Sequence, residues 1–547
     1  MPITEFLERN AREFGSDVAL VEINPELKEK NKHTWKDYSL VETLPSEEHR
    51  KEITWAEFDK SANRFANLLL SKGVKRGEKI GILLMNCIEW LPIYFGILKA
   101  GAIAVPLNYR YTSDEIKYCL ELADCSCLVF GKEFVGRVEQ IVEELPSGVE
   151  GLLFAGEDCP SFAESYNQLI EYMSFEKPDV KLTDEDYAAI YFSSGTTGFP
   201  KAILHKHKAL VQSCITEQKH HGQTREDNFL CIPPLYHTGA KMHWFGSLLS
   251  GSKAVLLKGV SPKWILQTAS EEQCTIVWLL VPWAQDILDA IDRKEVNLED
   301  YKLDQWRLMH IGAQPVPPSL IQRWKKVFPN HEYDTNYGLS ESIGPGCVHL
   351  GVENIDHVGA IGKAGFGWET QILDNNHKPV KQGEVGELAV KGNGVMCCYY
   401  KDEKATDAVL NNGWLYTGDM AKEDEDGFIY LVDRKKDVII TGGENLYPVQ
   451  IEDFMRSCDY IRDVAVIGLP DERLGEIAAA IVELKPEYEG QVSISDIEYF
   501  CGELPRYKRP RAIIFDKVPR NPTCKIEKPK LRLKYCGGSL VDMQNNR

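Results

Sequence analysis

The stretch Tyr191-Phe192-Ser193-Ser194-Gly195-Thr196-Thr197-Gly198-Phe199-Pro200-Lys201-Ala202 runs through six serines, glycines and threonines and closes on a lysine. Small residues let backbone N–H groups approach an anion, hydroxyls add donors and Lys201 adds a charge, a combination suited to a polyphosphate such as that of ATP. The Gly-Lys-[Ser/Thr] ending of a Walker loop is missing. The setting differs as well: Tyr187 to Phe192 reads as a strand and Ala202 to His205 as another, so the loop joins strands instead of opening a helix. Ser193, Ser194, Gly195, Thr196, Thr197, Gly198 and Lys201 are therefore candidate nucleotide-binding residues.

Further segments with chemistry-bearing residues follow in order: Pro233-Pro234-Leu235-Tyr236-His237-Thr238-Gly239, His310-Ile311-Gly312-Ala313-Gln314-Pro315, Asn336-Tyr337-Gly338-Leu339-Ser340-Glu341, Tyr416-Thr417-Gly418-Asp419, Asp433-Arg434-Lys435-Lys436-Asp437, Thr441-Gly442-Gly443-Glu444-Asn445 and Pro519-Arg520-Asn521-Pro522-Thr523-Cys524-Lys525. Together with the first loop, this series resembles the adenylate-forming (ANL) superfamily of acyl-CoA synthetases, luciferases and adenylation domains. The resemblance covers roughly Ile53 to Lys534.

The resemblance implies a role for each segment. His237 would sit beside the substrate carboxylate and the path of an incoming thiol, with Thr238, Gly239, Trp244 and Val281 lining the acid pocket. Gly312, Ala313 and Gln314 would border adenine, where small residues admit a flat base. Asn336, Tyr337 and Gly338 continue that surface, Tyr337 offering a stacking face. Ser340 would bond a phosphate oxygen, and Glu341, a hard oxygen ligand, would hold Mg²⁺ together with Thr197. Asp419 would accept both ribose hydroxyls, and Arg434 would clamp the nucleotide from the other side. Lys436 is the hinge position; Gly442, Gly443 and Glu444 form the loop that meets the pantetheine arm of CoA. Lys525 would reach the acyl carboxylate and the α-phosphate. The family usually has glycine where this chain has Cys524, and if that position needs a positive φ the cysteine costs about 1–2 kcal/mol.

These residues need elements to hold them. Lys79 to Leu84, Ala102 to Leu107 and Cys125 to Phe130 read as strands alternating with helices over Cys87 to Lys99 and from Thr112, where Glu115 completes a capping box. Such alternation predicts α/β architecture with doubly wound parallel sheet. Glu22 to Lys51 is charged and poorly periodic and reads as a surface insertion. Near Asp433 the character changes: short strands (Asp463 to Leu469, Ala478 to Leu484, Arg511 to Phe515) and helices, one capped by Ser495 with Glu498, predict a small α+β domain, which the resemblance implies is mobile. The division is thus 1–433 and 434–547, with a charged hinge at 433–437.

Composition narrows the partners. A chain of 547 residues exceeds one core. The formal net charge of −19 argues against nucleic acid and anionic membrane. Ile80 to Leu107 is apolar but broken by Asn86, Glu89, Pro92, Lys99 and Gly101, which excludes a membrane span there. Fifteen cysteines without a CxxC pair suit a reducing, cytoplasmic setting. The start, Met1-Pro2-Ile3-Thr4-Glu5-Phe6, lacks the plan of a signal peptide. Oligomeric state stays open, a homodimer included.

The chemistry expected from the resemblance is AMP-forming acid–CoA ligation. ATP converts a carboxylate to an acyl adenylate with loss of pyrophosphate, and the CoA thiol then displaces AMP. Aromatic residues around the pocket (Trp244, Trp278, Trp283) suggest a cyclic or medium-chain monocarboxylate. Loading of a carrier protein, or nucleotide or acyl-CoA binding without catalysis, are the alternatives.

Overall fold

The computed structural model describes residues 1–29, 49–145, 148–149, 151–193, 200–312, 316–354, 356–357, 359–441, 444–520 and 526–536. The chain divides into two compact units, one of Met1–Ser194, Pro200–Thr370 and Val390–Leu415, the other of Gln371–Ala389 and the chain from Tyr416 onward. Asp433 and Arg434 thus lie inside the second unit. The domain division read from sequence separates them by a single residue boundary.

The first unit contains a nine-stranded and an eight-stranded sheet. In the eight-stranded sheet Lys79–Leu83, Ile103–Pro106, Cys125–Gly131 and Gly151–Ala155 pair in parallel, and Ile103–Pro106 also pairs in parallel with Tyr187–Ser193. Tyr187–Ser193 then turns back antiparallel into Lys201–Lys206. The helices expected between the strands are present as Trp90–Lys99 and Ser113–Leu122, and Thr112 with Glu115 does form the capping box. Trp90–Lys99 is buried on every side, which explains why an apolar stretch of this strength belongs to a soluble core. No helix among the described residues is long and apolar enough to cross a membrane.

The nine-stranded sheet runs from Lys363–Ala364 through Gly344–His349, Glu332–Leu339, Leu308–Gly312, Ile276–Leu280, Asn228–Cys231, Lys253–Leu257 and Val18–Ile23 to Arg50–Thr54. Its interior, from Glu332–Leu339 to Val18–Ile23, is entirely parallel. The ends of the segment expected to be a surface insertion are part of this sheet. Val18–Ile23 is a buried strand, the Glu22 carboxylate accepts the Ile88 N–H at 2.8 Å, and Arg50–Thr54 pairs back antiparallel. One hydrogen-bonded carboxylate under a sheet looks like surface charge when read along the chain. Residues 30–48, the middle of that stretch, are outside the described residues.

Trp244, expected in the acid pocket, is fully buried, its ring 6.0 Å from Phe58 and 5.9 Å from both Phe95 and Phe245. It is a core residue, and it can shape a pocket only from behind. His205, on the Lys201–Lys206 strand, is also fully buried, and its Nε2–H donates to the Ser340 carbonyl at 2.8 Å. Burial outweighs that bond and drops its pKa to about 4, so the ring is neutral.

The second unit is built on Ile461–Asp471 and Gly475–Leu484 as a long antiparallel pair, flanked by Ile439–Thr441 and Glu444–Leu446 and, in parallel, by Ala512–Phe515. Its core gathers Val464, Val466, Ala480 and Val482 with Ile451, Met455 and Ile497 from the helices. The α+β expectation holds, with one correction: the helix Ile494–Cys501 is capped by Ser493 with Asp496, not by Ser495 with Glu498. Ile429–Arg434 also continues as strand through Asp433 and Arg434, into the charged segment read as the hinge.

Two outcomes follow. Trp244→Ala should cost about 3–5 kcal/mol in chemical denaturation of the first unit while leaving the ranking of acid substrates unchanged, because it opens a core cavity. For His205 the folded pKa lies below the unfolded value, so stability present at neutral pH is lost as pH falls from the unfolded 6.5 towards about 4. Lowering the pH from 7.5 to 5 should cost about 2 kcal/mol through this residue. In His205→Gln, whose amide can still donate to Ser340, the acid-induced loss should shrink by that amount; an equal loss in both proteins would remove His205 from the linkage.

Candidate active site

Four neighbouring parallel strands, Asn228–Cys231, Ile276–Leu280, Leu308–Gly312 and Glu332–Leu339, place their carboxyl ends side by side. The expected site segments leave from these ends: His237 after the first, Val281 after the second, Gly312 closing the third and Asn336 to Glu341 closing the fourth. Open parallel sheets bind ligands in this position. Gly312 and Asn336 are adjacent there, with the site of a Cβ on Gly312 3.8 Å from the Asn336 carbonyl oxygen. Tyr337 and Gly338 follow in the strand and pair across to Val348 and Pro345. Ala313 and Gln314 lie outside the described residues.

Beyond Leu339 the chain makes a one-turn 3₁₀ helix, Ser340–Ser342, that presents Glu341. Ile343 then adopts φ 66°, a left-handed conformation that a β-branched residue resists. Gly344 follows at φ 109°, and a Cβ there would come within 3.2 Å of the Thr238 carbonyl carbon and 3.3 Å of the Gly239 nitrogen. Glycine is required on both counts: the backbone conformation and the close approach of the Glu341 turn to the segment after His237.

His237 is the N-cap of the helix Thr238–Ser250, and its Nδ1 accepts the Gly239 N–H at 3.2 Å. That bond places the neutral ring's proton on Nε2. Thr238 is buried, and a Cβ on Gly239 would meet the Trp278 ring at 3.6 Å. Trp278, which is buried, therefore stands next to the His237 segment, whereas Trp244 packs into the core as described; Val281 is buried at the start of the helix Val281–Asp292.

Of the phosphate loop, Ser193 ends one strand and Lys201 begins the next, and the two are register partners. Ser194, Gly195, Thr196, Thr197 and Gly198 lie outside the described residues. Lys201 Nζ stands 4.6 Å from the centre of the Tyr399 ring, a cation–π contact. The Tyr399 hydroxyl donates to Glu341 Oε1 at 2.8 Å, and the Met396 N–H donates to the Glu341 carbonyl at 2.7 Å. Burial and the neighbouring Glu341 charge keep the Tyr399 phenol protonated, as a donor must be. Tyr399 comes from the two-residue strand Cys398–Tyr399, paired to the strand that Lys201 opens. Neither Tyr399 nor His205 is found by motif; a histidine inside the apolar Ala202 to His205 strand was the available signal for the latter. The Glu341 carboxylate is half-exposed and oriented by a neutral donor, a setting that would suit a hard cation such as magnesium.

In the second unit Asp419 and Arg434 are cross-strand partners, and Arg434 Nε lies 3.2 Å from Asp419 Oδ1. The ribose candidate Asp419 and the nucleotide-clamp candidate Arg434 are thus brought together as an ion pair. Glu387 supports them, accepting the Gly418 N–H at 3.0 Å and pairing with Lys435 at 2.9 Å. Lys436 lies in the 3₁₀ turn Lys435–Asp437; burial lowers its pKa, against the opposing pull of Asp437. Asp437 itself pairs with Arg532 at 2.8 Å. Gly442, Gly443 and Lys525 lie outside the described residues, and Glu444 opens the short strand Glu444–Leu446.

The chain matches the model of the AMP-binding enzyme family over residues 7–400 and that of the AMP-binding enzyme C-terminal domain over residues 450–525. It is 31% identical over 485 residues to a 3-[(3aS,4S,7aS)-7a-methyl-1,5-dioxo-octahydro-1H-inden-4-yl]propanoyl:CoA ligase of Rhodococcus jostii, covering 86% of this chain and 91% of that protein. To the long-chain-fatty-acid–CoA ligase FadD13 of Mycobacterium tuberculosis it is 29% identical over 482 residues, 88% of this chain and 92% of the relative. The crystal structure of the anthranilate CoA ligase AuaEII with anthranoyl-AMP superposes with a TM-score of 0.83 at 26% identity, covering 98% of this chain and 97% of the other. This chain belongs to the AMP-binding enzyme family, and its place there is among the adenylate-forming acid–CoA ligases.

Proposed function

We propose that this ligase uses Mg-ATP to activate a cyclic (aromatic or alicyclic) or medium-chain monocarboxylic acid and transfers the acyl group to CoA. The observation that carries the proposal is the row Lys201, Tyr399, Glu341, which links the lysine of the phosphate loop to the magnesium-binding carboxylate within one unit. The strand pairing of Tyr399 with Ile203 keeps that row in register with the loop.

In the first half-reaction a carboxylate oxygen attacks the α-phosphorus, the bond to the bridging oxygen breaks and pyrophosphate leaves with the electron pair. Charge grows on phosphate oxygens, so positioned cations and donors are the main source of acceleration. Thr196, Thr197 and Lys201 serve the departing phosphates, Ser340 a phosphate oxygen, and Lys525 the acid and the α-phosphate. Magnesium held by Glu341 and Thr197 would neutralise charge on the phosphate oxygens. In the second half-reaction the thiol sulfur attacks the acyl carbon, AMP leaves, and the thiol proton is lost to the surroundings. His237, with its proton on Nε2, lines that path, and the Gly442–Gly443 loop receives the pantetheine arm, with Lys436 as the pivot of the exchange.

The choice of acid rests on Trp278 beside Gly239 and on Val281, buried where the next strand ends, which would give an acid pocket a flat apolar wall. The Rhodococcus relative acts on a fused-ring propanoate and the structural relative on anthranilate, whereas the mycobacterial relative takes a long-chain fatty acid. The first two support a cyclic substrate. Measuring CoA-dependent AMP release over benzoates, cyclohexane carboxylate and straight-chain acids from acetate to palmitate tests this. A maximum at palmitate would overturn it.

Two variants test the machinery. Lys525→Ala should slow acid-dependent ATP–pyrophosphate exchange by about 10²–10³ while sparing thioester formation from preformed acyl-AMP; equal losses in both assays would contradict the division of labour. Tyr399→Phe removes one hydrogen bond to Glu341 and should lower kcat/KM for Mg-ATP about tenfold. Raised magnesium concentration should recover part of that loss, and unchanged kinetics would exclude Tyr399 as the residue that orients Glu341.

A further inference from the structure

Behind the carboxyl ends that form the site, five ionisable side chains meet in the core of the first unit. Glu217 and His221 come from the last turns of the helix His207–His221, His310 from the Leu308–Gly312 strand, Asp334 from the Glu332–Leu339 strand and His349 from the end of Gly344–His349. All five are buried. His221 Nε2 lies 3.1 Å from Asp334 Oδ2, His349 Nδ1 lies 3.2 Å from it, and His310 Nδ1 lies 3.5 Å from it. His310 Nδ1 is also 2.8 Å from His221 Nε2.

Three ring nitrogens therefore converge on one carboxylate oxygen, which has only two lone pairs to offer as a hydrogen-bond acceptor. The far sides of two of these rings share a second carboxylate: His221 Nδ1 is 3.4 Å from Glu217 Oε2, and His349 Nε2 is 3.3 Å from Glu217 Oε1. If each ring gives its N–H to Glu217, the nitrogens facing Asp334 carry lone pairs. Lone pairs aimed at an anionic oxygen repel unless a cation stands between them. This is the arrangement of histidine ligands steadied by an outer carboxylate. The remaining bonds also fix the carboxylates: Gly351 N–H donates to Asp334 Oδ1 at 2.9 Å, and Asn336 Nδ2 donates to Glu217 Oε1 at 3.1 Å.

Charge points the same way. Two buried carboxylates need two compensating positive charges, and one divalent ion supplies both. The distances of 3.1, 3.2 and 3.5 Å from Asp334 Oδ2 to the three ring nitrogens are close to the edge of a tetrahedron whose metal–ligand bonds are about 2.0–2.1 Å, while the His221–His310 nitrogen pair, at 2.8 Å, would have to open slightly. Ligand atoms of His221, Asp334 and His349 all fall within 4.8 Å of one another, a grouping of this kind found nowhere else among the described residues.

We propose that His221, His349 and Asp334, with His310 at the fourth position and Glu217 behind the histidines, bind one divalent transition metal ion of zinc's class. Imidazole with one carboxylate selects such ions over magnesium. The ion would be structural, joining the end of one helix to the three strands that carry Gly312, Asn336 and the Glu341 turn. It is separate from the magnesium site at Glu341.

The test is the metal content of the full-length protein, purified without a metal-affinity step from zinc-supplemented medium and dialysed against metal-free buffer. About one equivalent of zinc is expected by elemental mass spectrometry, retained in Glu341→Gln and lost in His221→Gln and His349→Gln. Should those two variants fail to fold, wild-type protein is refolded from denaturant with zinc or with EDTA. Recovery of about one bound equivalent, with a higher Tm than the EDTA sample, supports the site. Less than about 0.1 equivalent in both the native and zinc-refolded protein overturns it, leaving a metal-free network in which two imidazolium protons balance the carboxylates. Zinc that persists in folded His221→Gln and His349→Gln overturns it equally, because the ion then binds elsewhere.

Discussion

One short turn carries the constraint on which the site rests. Glu341 must leave the end of a parallel strand pointing at a fixed place, and the turn that does this contains Ile343 at φ 66°. A β-branched residue in that region costs about 1–2 kcal/mol. Strain of this kind persists only where surrounding bonds over-determine it. Here the Leu339 N–H donates to Ser342 Oγ at 2.9 Å, Ser342 Oγ donates on to Gly344 O at 3.2 Å, and Cys347 Sγ closes on Ser342 Oγ at 3.1 Å. Residues from far along the chain finish the restraint: His205 holds Ser340, Met396 holds the Glu341 backbone and Tyr399 holds its carboxylate. The geometry of the carboxylate is thus a property of the assembled sheets, since its local sequence opposes it.

This accounts for what could be read in advance. Residue types whose chemistry is intrinsic, such as the glycine and hydroxyl run before Lys201, Glu341 and Asp419, were legible, as were the buried alternating strands around Lys79–Leu83 and the box of Thr112 with Glu115. Long-range restraint was not. Tyr399 looks like one of two ordinary tyrosines in a Cys-Cys-Tyr-Tyr run until its strand pairs beside Lys201. Glu22 reads as surface charge until the Ile88 N–H is found on it. Ser493 with Asp496 and Ser495 with Glu498 fit the same three-residue spacing, and only the exposed Ile494 and the start of the helix decide between them. Trp244 followed an acid-pocket motif, yet helix Thr238–Ser250 turns its ring into the aromatic cluster of Phe58 and Phe95.

The second unit shows how a binding pair can be stored. Asp419 is buried and Arg434 largely exposed, and their strands hold them opposite each other. An ion pair with one partner in water is weak, worth at most about 1 kcal/mol. In the proposed ribose role of Asp419, hydroxyls competing for its carboxylate would displace little. The stronger restraints lie one step away, where Lys528 meets Glu452 at 2.8 Å and Arg532 meets Asp437 at 2.8 Å, both acceptors being buried. These bonds fix the base of the Lys435–Asp437 turn within its own unit, so any change of backbone at Lys436 is confined to the turn itself.

The same economy is visible beneath Gly312 and Asn336 in the first unit. His310 precedes Gly312 by two residues and Asp334 precedes Asn336 by two, so each pair points to one face of its strand. Residues expected to touch the nucleotide and residues of the buried polar cluster are therefore successive occupants of the same two rows. Asn336 joins them directly through its bond to Glu217. A cluster of this kind is costly if any member is left unmatched, because buried charge without a partner loses far more than it gains. It tolerates only a narrow range of strand positions. An apolar core would let Gly312 and Asn336 slide by fractions of an ångström at little cost; a buried cluster of carboxylates and imidazoles this closely spaced does not, and the strand ends inherit that rigidity.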